Sequence, residues 1–74
     1  MSYEDELNKI APEMLLSHKK HLAVYYNSYS NGKVIKPLQQ FFDRIKKEYG
    51  LDDGTLLEIA KQCWKIVSSR EVGK

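Results

Sequence analysis

The run at residues 56–67, LLEIAKQCWKIV, is the most apolar stretch of the chain and holds its only tryptophan. On a helical wheel Leu56, Leu57, Ile59, Ala60, Cys63, Trp64, Ile66 and Val67 fall within one half of the circumference. Glu58, Lys61, Gln62, Lys65, Ser68 and Ser69 fill the other half. One apolar half at a 3.6-residue period predicts a helix that buries a face against a core. That face needs partners, and the rest of the chain is read as supplying them.

With 74 residues the chain is read as a single helical domain over 1–74, with one small core. Domains of this size are marginal without a staple, and the sole cysteine, Cys63, provides neither an internal disulfide nor a tetrahedral thiolate site. Stability is therefore assigned to packing of aliphatics and of one Trp, five Tyr and two Phe, or to oligomerisation. No apolar run approaches the roughly 18 residues that span a bilayer. The acidic start, MSYEDEL, lacks the basic and apolar regions of a signal peptide, so a cytoplasmic location is expected.

The other helices are read from periodicity and punctuation. Ser2 with Asp5 resembles a capping box, and Tyr3, Leu7 and Ile10 give a short apolar face, so a first helix is predicted to about Ile10. Pro12 is read as opening the second helix, one kinked helix being the alternative. In that second helix Met14, Leu15, His18, His21, Leu22, Tyr25, Tyr26 and Tyr29 share one arc, whereas Leu16, Ala23 and Val24 lie off it. The competing reading of residues 22–36 is a β-hairpin turning at Asn31-Gly32. Its alternation is poor, because Tyr25 and Tyr29 would share a face with Asn27. The helix is preferred, with Gly32 as its stop. Val34 and Ile35 are expected to dip into the core. The residue before a proline avoids helical backbone, so Ile35 and Lys36 should be extended or turning.

Pro37 opens a third helix whose Leu38, Phe41, Phe42, Ile45 and Tyr49 form a narrow apolar arc ended by Gly50, with Lys46 and Lys47 in the last turn. Asp52 or Asp53 caps the fourth helix, Thr55 with Glu58 makes a second capping box, and the closing SSREVGK frays. Helices three and four are predicted as an antiparallel hairpin. The fold class is thus all-α: a small bundle of three longer helices and a short N-terminal one. Its core is placed at Leu22, Phe41, Phe42, Ile45, Leu56, Ile59, Ala60 and Trp64.

No constellation of catalytic residues emerges, and neither an enzyme nor a cofactor is expected. His18 and His21 share a helix face and could meet one metal, but no local spacing sets a third ligand. Cys63 lies at the centre of an apolar arc, where cysteine behaves as a small inert hydrophobe. Asp52-Asp53-Gly54 begins like a calcium loop, but Leu56 and Leu57 interrupt the ligand series. A helix-turn-helix over residues 46–62 would present Leu56, Leu57 and Glu58 where base-reading side chains are needed.

Net charge is only +2, but its distribution is uneven. Residues 18–37 carry Lys19, Lys20, Lys33 and Lys36 and no acid, and they enclose three of the five tyrosines. Tyrosine beside lysine suits a protein interface, a single-stranded nucleic acid, or simply closure of a small core. The candidate partner-binding residues are Lys19, Lys20, Val24, Tyr25, Tyr26, Tyr29, Lys33 and Lys36. Together with the off-stripe Leu16, Ala23 and Val24, they point to a non-enzymatic protein-binding module: a small subunit, adaptor or inhibitor, or a self-associating chain. The alternative is a small nucleic-acid-binding protein using residues 18–37. Lys19 and Lys20 diverge by about 100° on the wheel, so they do not line one narrow groove.

Overall fold

Glycine and aspartate set the helix boundaries more firmly than proline does. The computed structural model describes residues 3–72, which form α1 (Tyr3–Asn8), α2 (Leu16–Ser30), α3 (Lys36–Tyr49) and α4 (Asp53–Val72). The all-α expectation of three longer helices and a short N-terminal one holds, and there is no strand among the described residues. The β-hairpin alternative is excluded, because Asn31-Gly32 closes a helix. Gly32, at φ 73°, donates its N–H to Tyr29 O at 3.0 Å, and Lys33 N–H reaches Ser28 O at 2.9 Å. This pair of bonds satisfies last-turn carbonyls. Gly50, at φ 64°, repeats it: its own N–H reaches Lys47 O at 3.3 Å and Leu51 N–H reaches Lys46 O at 2.9 Å.

At the start of α4, Asp52 Oδ1 accepts the Thr55 N–H at 2.8 Å, so Asp52 is the cap. Hydrogen bonds from Thr55 hold the Asp52 carboxyl below the usual aspartate range. Thr55 is therefore inside the helix, and the Thr55–Glu58 capping box does not form. Asp53 instead takes the Lys46 ammonium at 2.6 Å, tying the last turn of α3 to the first of α4; this bond raises the Lys46 pKa. Ile35 enters α3 with extended backbone (ψ 159°), while Lys36 is already helical. Pro37 fits the first turn because that N–H has no intrahelical partner.

The N-terminal boundaries differ from expectation. α1 ends at Asn8 and α2 begins at Leu16, not at Pro12. Between them the chain turns, with Ile10 N–H on Leu7 O at 3.0 Å and Met14 N–H on Ala11 O at 2.9 Å. The turn buries Met14 in the larger of two apolar clusters. Its backbone runs through Ala11 at φ 44°. The Ser2 cap lies outside the described residues. At the other end α4 continues to Val72 instead of fraying from Ser68.

Two apolar clusters hold the helices. The larger joins α2, α3 and α4 through Leu22, Tyr25, Leu38, Phe41, Phe42, Ile45, Leu56 and Ala60, and takes in Met14. The smaller is Leu7, Ala23 and Cys63, flanked by Ile10, Leu16, Trp64, Ile66 and Val67. Of the predicted core, Ile59 and Trp64 are only half-buried. Val34 packs on the larger cluster, but Ile35 does not dip inward and is 60% exposed. The closest backbone pair is α2 with α4, whereas α3 and α4, expected as a hairpin, meet mainly through side chains. Ala23, Ala60 and Cys63 are small enough to let α2 and α4 approach, and the rings of Phe41 and Phe42 hold α3 off.

Candidate interaction surface

The residues singled out in the sequence separate into interior and surface. Lys19 is 1% exposed. Its Nζ donates to Leu7 O at 3.0 Å, a carbonyl in the last turn of α1, where a cation suits both the free lone pair and the helix dipole. It acts within range of Cys63, whose thiol burial pushes up to about 11 against the lowering pull of the Lys19 charge. Tyr25 is also interior, stacked on Phe42 with centroids 4.4 Å apart. Burial, followed by the neighbouring Tyr29, raises its pKa. With α1 docked, Lys19 and Tyr25 are interior groups.

The others remain at the surface. Lys20 pairs with Glu4 at 2.6 Å, across α2 and α1. Val24 is 53% exposed and Tyr29 46%. Tyr26 is half-buried, while Lys33 and Lys36 are exposed. The four lysines do not converge: one is inside, one is ion-paired, and the last two follow the end of α2. About 15 Å of helix separates Lys20 from Ser30.

A groove of about 200 Å³ runs between α2 and α4, lined by Lys20, Ala23, Val24 and Asn27 on one side and Trp64, Val67 and Ser68 on the other. The Trp64 indole N–H donates to Asn27 Oδ1 at 3.3 Å, which holds the ring across the groove. From Trp64 a chain of aromatic rings crosses the molecule. Trp64 meets Tyr26 at 5.5 Å, Tyr26 meets Tyr29 at 5.7 Å, and Tyr29 meets Tyr25 at 6.1 Å. Tyr29 also lines two further depressions of about 270 and 240 Å³. Sequence reasoning placed Trp64 in the core and overlooked Asn27 and Ser68. The available signal was that both polar residues border the apolar arcs of their helices.

The other candidates are engaged locally. His18 Nδ1 lies 2.9 Å from the Tyr49 hydroxyl, which also accepts the Leu15 N–H at 3.3 Å. His21 stacks on Phe41 with centroids 4.0 Å apart. Among the described residues no three His, Cys, Asp or Glu are grouped to hold a metal. No helix among them is long and apolar enough to cross a membrane. Two of the three off-stripe residues of α2 are covered from within, since Leu16 and Ala23 pack in the smaller cluster; Val24 is left. No protein-family model matches the chain, and no curated protein or solved structure is significantly similar to it.

Proposed function

We propose that this chain is a non-enzymatic protein-binding module, a small subunit, adaptor or inhibitor of a larger protein. The observation that carries this reading is the α2–α4 groove, where a half-buried Trp64 lies beside a Val24 that is 53% exposed. A tryptophan in a pocket next to an exposed aliphatic, with Asn27 and Ser68 supplying polar edges, is the composition from which binding hot spots are built. Covering Val24 would add about 1 kcal/mol, since it is already half-shielded. Affinity capture from source cells with the unaltered chain and with a Val24→Asp chain tests the reading. A partner retained by the first and lost by the second is expected. Equal recovery on both chains, or none on either together with a monomer in sedimentation, removes it.

The rival reading is single-stranded nucleic acid on Tyr29, Lys33 and Lys36. It is favoured by the exposure of all three, between the last turn of α2 and the first residue of α3, and weakened by the burial of Lys19. So few phosphate contacts give a salt slope of about −2. Fluorescence titration with labelled oligonucleotides at two salt concentrations checks it, and no binding at the lower salt eliminates it.

A further inference from the structure

The surface beneath α1 has its own recognition chemistry. Leu7 is fully buried there with Ala23 and Cys63. Lys19 reads the Leu7 carbonyl at 3.0 Å, which is a backbone contact open to any helix whose last turn arrives at this point. Lys20 reads a carboxylate one turn earlier, Glu4, at 2.6 Å. The pattern recognised is Glu-x-x-Leu on a helix. The charges match, because α1 carries Glu4, Asp5 and Glu6, and the stretch of α2 that meets it supplies Lys19 and Lys20 and no acid from Leu16 to Ser30.

α1 holds this seat weakly. Six residues are too few to be helical alone, so the helix exists only while docked. The hinge that brings it back passes through Ala11 at φ 44°. That conformation is disfavoured for any residue with a Cβ, and further disfavoured before Pro12. Letting α1 leave frees Ala11 to become extended. The seat also continues into the open groove: Ala23 and Val67 belong to both, and Lys20 stands between them. A helix longer than α1 would extend along this groove toward Val24 and Trp64.

We propose that this seat is the docking site for an acidic amphipathic helix of a protein partner, bearing Glu-x-x-Leu, and that α1 is an internal competitor displaced by it. The inference rests on the protein-binding reading above and specifies the partner's chemistry.

The test uses the full chain and a labelled, alanine-rich helical peptide carrying one Glu-x-x-Leu pair, read by fluorescence anisotropy. Glu4→Lys sets α1 against Lys20 and weakens the internal competitor, so the peptide should bind that chain at least about ten-fold more tightly than the unaltered one. Lys20→Glu should abolish binding, and a Lys-x-x-Leu peptide should restore it. Ala11→Gly relieves the hinge and removes one methyl that packs on the larger cluster. It should strengthen the docked state of α1 and weaken peptide binding by about three-fold. No binding to a Glu4→Lys chain that keeps α2, α3 and α4 folded, or binding indifferent to both Lys20→Glu and Ala11→Gly, overturns the proposal. Self-association of the unaltered chain that the peptide inhibits would also overturn it, by making α1 of a second copy the occupant. A partner that still requires Val24 when the peptide fails on every chain would leave the broader reading standing and remove only this one.

Discussion

The Lys19 ammonium and the Leu7 carbonyl meet at 3.0 Å inside the smaller apolar cluster, so a lysine of α2 serves as the C-terminal cap of α1. Leu7 O also accepts the Ile10 N–H, so the carbonyl keeps a partner if the lysine is lost. The methylenes of Lys19 fill space that an alanine would leave empty. Lys19→Met should then stay within about 1 kcal/mol of the original stability, whereas Lys19→Ala should lose about 2–3 kcal/mol. Urea unfolding of the two variants checks this. Equal losses would mean that the hydrogen bond, and not the packing, holds α1.

The glycines separate by backbone and not by space. None of Gly32, Gly50 and Gly54 has an atom near the position a Cβ would take. Gly32 and Gly50 have positive φ, so alanine should cost about 1 kcal/mol at each. Gly54 is in the first turn of α4, where alanine should stabilise by about 0.5 kcal/mol. Thermal melts should move in opposite directions, by several degrees per kcal/mol for a chain of this length.

Tyr49→Phe removes one hydroxyl and leaves the ring. Leu15 N–H and His18 Nδ1 both lose their contact with that oxygen. A loss of about 1 kcal/mol is expected. Amide exchange should quicken in the first turn of α2 and stay unchanged in α4. Uniform quickening would show that the hydroxyl is not a local tie.

Cys63 should resist alkylation in the folded chain and react on unfolding, because burial raises its thiol to about 11 from an ordinary 9.0. The folded form binds this proton more tightly than the unfolded form. The resulting stability is therefore complete below pH 9 and is lost as pH rises toward 11. Denaturant midpoints across that window, compared with those of Cys63→Ala, isolate the thiol's share. An unchanged slope in the variant would assign the pH dependence to Tyr25 or to other groups.

The features legible in the sequence were those that local chemistry decides. The arc of Leu38, Phe41, Phe42 and Ile45, the stop at Gly50 and an aspartate cap on α4 each depend on neighbours within a turn or two. The misread features depend on what lies across the molecule. A wheel gives the angle at which Lys19 leaves α2, but not that α1 will arrive there with an unshared carbonyl lone pair. It placed Trp64 on the apolar half of α4 without showing that Asn27 would hold the indole at a groove. At Pro12 the local rule for starting helices failed, because the chain turns there, with Met14 N–H on Ala11 O, before α2 begins at Leu16. At the candidate surface, Val24 stood off its stripe in the sequence and is exposed in the fold. Tyr25 lay on the stripe and is interior.

The pairing of α2 with α4 also affects the order in which the molecule can form. Everything from Asn31 to Asp52, including all of α3, separates these two helices in the chain. Closing that loop must precede the reward of the interface. During synthesis α2 therefore waits without its main neighbour until residues 53–72 have emerged, and its apolar face is open for that interval. Ala23 and Tyr26, whose partners Cys63 and Trp64 lie on α4, are then the groups most exposed to capture by a chaperone or by another nascent chain.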